Sequence, residues 1–252
     1  MKITHGLMQG QVLQRRVNGL GGALISGTCN ASGAVELRVL KSRKVARGHD
    51  WQQVGSADGK TFNAMLAGLS TGGPYRVELR VKQGRKVAAR AALDDVFVGD
   101  VWILAGQSNM EGIGNLIHAP KPHPQVRAFF MRDEWAMAEE KLHYLTEAVD
   151  VVHNSYGDEP GRPPKEVLEQ GRTALVKGMS PGLVFGLEMY RRTRVPQGLI
   201  PCAHGGTSMA QWSPELRDQG GASLYGAMMR RYVKLGQPLA GVLWYQGESD
   251  AN

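Results

Sequence analysis

Hydrophobic and polar residues alternate with a period of two in the first third of the chain. Val35–Leu40 and Tyr75–Val81 place an apolar residue at every second position, the pattern of a strand with one buried face. Glycine-containing turn signals, such as those at residues 57–59 and 71–74, separate runs of this kind. Residues 1–93 are therefore predicted to form a small all-β sandwich domain.

From residue 94 onward the pattern changes to strands that are apolar on both faces. Three such continuous runs are Val96–Ala105, Gly198–Ala203 and Leu239–Tyr245. Apolar residues at helical spacing follow Ser180 and Ser223, and both serines are predicted to cap a helix. Alternating strands and helices are typical of a parallel sheet with helical crossovers. Residues 94–252 are therefore predicted to form an α/β domain.

Charge is distributed unevenly over these two parts. Residues 1–93 carry 15 Lys and Arg against 4 Asp and Glu, a balance of +11, whereas residues 94–252 carry 15 against 19, a balance of −4. The asymmetry agrees with two separate units. A basic unit can attract an anionic polymer such as an acidic glycan, although a solvated basic surface is the simpler interpretation.

Several classes of protein are excluded by what the 252 residues lack. Cys29 and Cys202 are predicted to be buried free thiols, because two distant cysteines form no disulfide framework. No metal-ligand spacing or phosphate-binding loop occurs, so neither a metal nor a cofactor is predicted. No apolar run reaches the ~18 residues of a membrane span, and the N-terminus lacks the apolar core of a signal peptide. Neither a membrane nor a nucleic acid is a predicted partner, and the oligomeric state is left open.

Polar blocks follow all three buried runs. They are Gly106–Met110, His204–Ser208 and Gln246–Asp250. Because ligands bind at the carboxyl ends of strands in open α/β sheets, the blocks are expected at one rim. Ser108 can act there as a nucleophile on a tight turn. The Ser108 amide, an amide of Gly205 or Gly206 and the Gln246 side chain can serve as oxyanion donors.

The segments Gly106–Met110, Gly198–Trp212 and Trp244–Asp250 resemble the sialate O-acetylesterase and acetylxylan esterase group of the SGNH hydrolases. The resemblance implies a flavodoxin-like three-layer domain and a serine esterase that removes acetyl groups from sugars such as sialic acid or xylan. It also implies that Ser108 is the nucleophile and that Glu248 orients the catalytic base. The group favours a periplasmic or secreted location, although the compartment is left open.

Three residues of the blocks and one beyond them are candidate substrate contacts: Gln107, Asn109, His204 and Trp212. His204 is a candidate rim residue, with a role as the base as the alternative. The indole of Trp212 can stack on a sugar ring or pack in the core. The remaining histidines between the first and second blocks are interpreted as solvated loop residues: His118, His123, His143 and His153.

The sequence departs from the esterase group after Gln246. The group carries an Asp-x-x-His motif near its C-terminus, and no such motif follows here. We therefore expect an incomplete SGNH domain with little activity, since loss of the base removes most of a serine hydrolase's rate. Two alternatives stay open, namely a non-catalytic glycan-binding protein and a general short-chain ester hydrolase. Nucleic-acid binding by the basic unit is a weaker third.

Overall fold

The computed structural model describes residues 1–154 and 163–251, which divide into two compact units. The first comprises Met1–Asp100 with Lys234–Pro238, and the second comprises Val101–Val233 with Leu239–Asn252. The division after Asp100 lies seven residues beyond the predicted domain boundary at residue 93. Among the described residues, no helix is both long enough and apolar enough to cross a membrane.

The first unit is built from β-strands. They are β1 (Lys2–His5), β2 (Val12–Gln14), β3 (Leu20–Thr28), β4 (Ser32–Lys41), β5 (Lys44–Val45), β6 (Gln52–Asp58), β7 (Thr61–Ser70), β8 (Gly72–Gln83) and β9 (Lys86–Gly106). Their order is β1-β3-β7-β6-β4-β8-β9, with β5 paired to β4 and β2 paired to β9. From Val101 onward, β9 belongs to the second unit.

The alternating pattern of β4 and β8 is confirmed. The two strands are antiparallel, and Val35 lies opposite Val81, with both side chains fully buried. On the other face Arg38 pairs with Glu78, the residue directly opposite it in register.

Outward-facing arginines of this unit also pack on an indole ring. The guanidinium of Arg80 bonds Glu36 and lies 4.0 Å from the ring centroid of Trp51, and that of Arg38 lies 4.7 Å away. Part of the basic charge is therefore matched by cross-strand carboxylates and by cation–π contacts.

The end of the last helix returns to the first unit through one glutamine. Gln237 Oε1 accepts a hydrogen bond from the Gln14 amide (2.9 Å), and its Nε2 donates to the Val12 carbonyl (3.0 Å). This side chain completes the backbone bonding of β2, which a sheet neighbour would otherwise provide.

The second unit contains helices and a mainly parallel sheet. The strands are the end of β9, β10 (Gly114–Asn115), β11 (Val126–Phe129), β12 (Trp135–Met137), β13 (Lys177–Met179), β14 (Gln197–Pro201) and β15 (Gly241–Tyr245). The helices are α1 (Ser108–Glu111), α2 (Lys165–Thr173), α3 (Pro181–Thr193) and α4 (Leu224–Leu235), and 3₁₀ turns span Leu116–His118, Leu145–Glu147, Met209–Trp212 and Pro214–Ala222.

The main sheet of this unit has the order β12-β11-β14-β9-β15. β11 is parallel to β14, and β15 is parallel to β9. Between β9 and β14, the Cys202 amide donates to the Leu104 carbonyl and the His204 amide donates to the Gly106 carbonyl. The residue numbers increase in the same direction on both strands, so this pair is also parallel. The carboxyl ends of β9, β14 and β15 therefore lie at the same edge. The prediction of a mixed α/β fold is confirmed.

The two predicted capping serines behave differently. Ser223 Oγ accepts a bond from the Gly226 amide (3.1 Å) and caps α4 as predicted. Ser180 occupies the position before α3, but its hydroxyl bonds Glu140 instead of a helix amide. Ser180 is thus the N-cap residue of α3, as predicted, but its side chain makes no cap hydrogen bond and donates to the Glu140 carboxylate.

A buried charge cluster attaches the segment after β11 to α4. Arg231 is fully buried, pairs with Asp133 (2.8 Å) and donates to the Phe129 carbonyl. Its neighbour Arg230 pairs with both Asp133 and Asp150. A fully buried guanidinium needs such partners, because an unpaired charge in the interior is strongly destabilising.

Candidate active site

Ser108 lies at the point where β9 turns into α1. The preceding Gly106 has φ +132°, and a Cβ there would lie 2.0 Å from the Tyr245 carbonyl oxygen. Only glycine therefore allows β9 and β15 to approach this closely. Ser108 is the first residue of α1, and its amide has no acceptor among the residues that the structure describes.

Gln107 joins the first polar block to the third. Its Oε1 accepts bonds from the amides of Gly247 (3.3 Å) and Ser249 (3.2 Å), and its own amide donates to the Tyr245 carbonyl. The side chain is 3% exposed. The expectation that Gln107 contacts substrate is therefore not met, because its amide oxygen holds the loop after β15.

Gly205 of the second block lies against Ser108. A Cβ on Gly205 would be 3.5 Å from Ser108 Cβ and 3.0 Å from Glu111 Oε2. The Gly205 amide donates to that same Glu111 oxygen (2.7 Å), while the other oxygen of Glu111 pairs with Lys141 (3.0 Å). The Gly205 amide is therefore occupied, contrary to a role as a free oxyanion donor.

Gly206 is the glycine whose amide is available. It is exposed, has φ +70°, and a Cβ there would have no neighbour within 4 Å. Its amide has no acceptor within the described part of the chain. Of the two glycines that the sequence left open, the geometry favours Gly206.

The third block closes the arrangement through side-chain bonds. Gln246 Nε2 donates to the Thr207 carbonyl (3.1 Å) and to the Asp250 carboxylate. Asn109 Nδ2 donates to Glu248 Oε1. Glu248 is thus paired with Asn109, and no histidine bonds it within residues 1–154 and 163–251.

Trp212 supports the second block from inside. It is 3% exposed, and its indole N–H donates to Thr207 Oγ1 (3.1 Å). Of the two roles that the sequence left open for Trp212, sugar stacking and core packing, the structure shows core packing. The neighbouring Trp244 packs against it edge-on and is half-exposed.

His143 and His153 are buried, so the interpretation of both as solvated loop residues is wrong. Burial lowers the pKa of His143 to about 3. His118 is exposed, whereas His123 packs on Tyr190 with ring centroids 4.4 Å apart. Burial of the two histidines depends on contacts with distant elements, which cannot be predicted from one polar residue in a loop sequence.

His204 bonds a histidine and not the candidate nucleophile. Its Nδ1 lies 3.0 Å from His153 Nδ1. Burial lowers the pKa of His204, and the nearby Glu111 carboxylate partly opposes the shift. The Ser108 hydroxyl has no hydrogen-bond partner among the described residues. The geometry therefore does not support His204 as the base of Ser108.

No metal site is evident in the described ranges, where no three His, Cys, Asp or Glu side chains cluster as metal ligands. Both cysteines are free and buried, as predicted.

A groove of about 780 Å³ flanks the site and starts at Asn109. Apolar side chains form much of its wall: Ile113, Met179, Val184, Phe185 and Met189.

Residues 98–252, more than half of the chain, match the family model described as carbohydrate esterase, sialic acid-specific acetylesterase. The chain belongs to this carbohydrate esterase family.

Curated relatives agree with the carbohydrate esterase family. The chain is 30% identical over 171 residues to a probable carbohydrate esterase of Arabidopsis thaliana, covering 60% of this chain and 54% of the relative. It is 27% identical over 220 residues to human sialate O-acetylesterase, covering 78% of this chain and 40% of the relative. The chain thus spans about half the length of these carbohydrate esterases.

A solved carbohydrate acetylesterase from Xanthomonas citri shares the fold. It superposes with a TM-score of 0.58 at 22% identity, covering 98% of this chain and 52% of that chain. Within the carbohydrate esterase family match, Glu111 is a site neighbour that the sequence reasoning missed, and His153 is one that it interpreted as a solvated loop residue. Glu111 directly follows the serine block, which was the one available signal for it.

Proposed function

We propose that the protein is a carbohydrate O-acetylesterase that hydrolyses acetyl esters on sugars, of the sialic acid or xylan kind, with Ser108 as nucleophile. The observation that carries the proposal is the packing of three separate sequence blocks around Ser108. Gly205 lies against its Cβ, and Gln107 ties the loop after β15 beside it. We further propose that the second unit has the SGNH three-layer arrangement and the first a sandwich.

The chemistry follows from the groups around Ser108. Its Oγ attacks the acetyl carbonyl carbon, the hydroxyl proton passes to a general base, and the sugar oxygen leaves with a proton. Water then attacks the acetyl-enzyme and releases acetate, which frees Ser108. The amides of Ser108 and Gly206 stabilise the oxyanion, and Gln246 joins them by exchanging its Asp250 contact for substrate.

The roles of the other site residues follow from their contacts. Glu111 holds the Gly205 amide, and so sets the position of the turn that carries Gly206. Asn109 and Glu248 form the side of the site that leads to the groove, where the sugar is proposed to lie. Sugar recognition by the half-exposed Trp244 replaces the stacking role left open for Trp212.

Acetate release from O-acetylated sialic acid and from acetylated xylan tests this function. Ser108→Ala should abolish the acetate release that the wild-type chain shows, whereas Ser56→Ala, on the exposed side of β6 in the first unit, should not change it. A Ser108→Ala protein that keeps the wild-type rate would contradict the proposal.

A longer-chain ester such as p-nitrophenyl octanoate should react far more slowly than p-nitrophenyl acetate. Equal rates for the two esters would indicate a general ester hydrolase.

A glycan-binding protein without catalysis is the second candidate. It is favoured by one observation, namely that the Ser108 hydroxyl has no base as a hydrogen-bond partner among the described residues. Calorimetric binding of the acetylated sugar without any acetate release would support this candidate. Release that depends on Ser108 would exclude it.

A further inference from the structure

Two imidazole rings meet beside the glycine turn. His153 follows the 3₁₀ turn Leu145–Glu147, and its Nδ1 lies 3.0 Å from Nδ1 of His204. The ring centroids are 5.2 Å apart. His204 directly precedes Gly205, the residue that lies against Ser108. The pair is therefore one residue away from the site of the proposed reaction.

A nitrogen–nitrogen hydrogen bond of this length contains a single proton. One ring must donate from Nδ1, and the other must accept with an unprotonated Nδ1. Both rings are neutral near pH 7, because burial lowers the pKa of each below its ordinary value. The charges of Arg230 and Arg231 further lower the pKa of His153. Each ring thus carries one proton, and its location decides the chemistry of His204.

The surroundings of His153 indicate which ring donates. Its Nε2 is buried and has no hydrogen-bond partner within the described residues. A buried N–H without an acceptor is rare in proteins. The proton of His153 is therefore on Nδ1, where it bonds His204.

We infer that His153 holds His204 in the tautomer protonated at Nε2, which makes His204 a hydrogen-bond donor to an oxygen atom of the substrate. His204 Nδ1 accepts the bond from His153, so His204 has no free lone pair with which to take a proton from Ser108. The oxygen can be a hydroxyl, carbonyl or carboxylate oxygen of the acetylated sugar. The inference rests on the proposed function for its substrate, but the tautomer itself does not depend on it.

Nitrogen-15 NMR of the histidine-labelled protein near pH 7 measures the tautomer directly. His204→Phe and His153→Phe variants assign the signals. The expected spectrum shows Nε2 of His204 protonated and Nδ1 unprotonated. A His204 signal protonated at Nδ1 would overturn the inference, whether or not the protein hydrolyses an ester.

Two further variants at position 153 test the role of the partner. His153→Asn can keep a donor near the position of Nδ1, so His204 should stay protonated at Nε2. His153→Asp offers only an acceptor, so His204 should become protonated at Nδ1. If His204 has the same tautomer in both variants, His153 does not set it.

Measurements of kcat/KM on variants at position 204 distinguish a hydrogen-bond donor from a general base. His204→Gln retains an N–H donor and should keep kcat/KM on O-acetylated sialic acid within about tenfold of wild type. His204→Glu presents an acceptor and should lose at least about 100-fold. Equal losses in both variants would overturn the donor role. If the wild-type protein releases no acetate, the proposed function fails. The donor role is then decided by NMR: the same sugar should shift the His204 Nε2–H signal, and an unchanged signal would overturn the donor role.

Discussion

Glu111 Oε2 accepts a 2.7 Å hydrogen bond from the Gly205 amide, and this bond joins the helix that begins with Ser108 to the glycine turn opposite it. The other carboxylate oxygen pairs with Lys141, and both side chains are largely buried. One acidic side chain therefore determines the separation between the candidate nucleophile and the candidate oxyanion donor. The carboxylate spans two elements that lie 94 residues apart in sequence.

Removing that carboxylate should cost stability and rate together. Glu111→Ala leaves the Gly205 amide without an acceptor and Lys141 without its partner, and should lower the free energy of unfolding by about 1–3 kcal/mol. Glu111→Gln keeps an acceptor oxygen and should lose less of both stability and kcat/KM. Urea denaturation and acetate release measure the two effects. If the alanine variant matches wild type in both, the bond has no positioning role.

The positive φ of Gly206 predicts that Gly206→Ala loses activity as well as stability, whereas a matched glycine variant elsewhere loses stability alone. Gly206→Ala should cost about 1–2 kcal/mol, because an L-residue is disfavoured in this conformation even where space is open. Gly48 in the first unit also has a positive φ and open space around its Cβ position, so Gly48→Ala is the matched control. Both should be destabilised similarly, but only Gly206→Ala should lower kcat/KM. Equal activity in the two variants would contradict the assignment of the Gly206 amide.

Burial of His143 predicts a loss of stability in mild acid. Its pKa is about 3 in the folded protein and about 6.5 when unfolded. Between these values the unfolded chain binds a proton that the folded chain does not, so stability falls as the pH decreases. His143 alone should contribute a slope of up to about 1.4 kcal/mol per pH unit.

His143→Phe tests this slope. Unfolding free energies measured from pH 6.5 to about 5 should fall less steeply in the variant than in wild type. His118→Gln, on an exposed 3₁₀ turn, is the matched histidine control for this comparison. An unchanged slope in His143→Phe would show that this ring titrates normally in the folded state.

Asp133 should be the most sensitive carboxylate of the second unit. Asp133→Ala leaves the fully buried Arg231 without its carboxylate and should cost about 3–5 kcal/mol. Glu188→Ala removes two ion pairs with Arg191 and Arg192 at the surface, where solvent screens the charges. Urea denaturation should therefore show a large change for Asp133→Ala and none for Glu188→Ala. Comparable losses in the two variants would contradict the argument from burial.

Local patterns were sufficient for the strands that position the site. β14 (Gln197–Pro201) is fully buried and begins one residue before the apolar run predicted for it, as expected of a strand buried on both faces. β15 (Gly241–Tyr245) lies inside its predicted run, but the prediction that it is buried on both faces is wrong, because Val242, Trp244 and Tyr245 are exposed. β9 is longer than predicted, extending back to Lys86. The predicted domain boundary at residue 93 therefore lies within a single continuous strand.

Side-chain partnerships between distant segments were not predictable in the same way. Gln107 was expected at the substrate and instead bonds the loop after β15. Glu111 attracted no prediction and His153 was wrongly predicted to be a solvated loop residue, since their roles depend on Gly205 and His204, which are 94 and 51 residues away. Periodicity reports which face of an element is buried, but it does not report the partner across the fold.

The pairing of His153 with His204 also has an evolutionary consequence. A donor at 153 without an acceptor at 204 would leave a buried polar ring unsatisfied, and an acceptor at 204 without its donor would lose its tautomer. A substitution at position 153 or at position 204 is therefore unfavourable unless the other position changes with it. Among relatives with this fold, the two positions should therefore change together, so that a histidine at one predicts a histidine or another side-chain donor at the other.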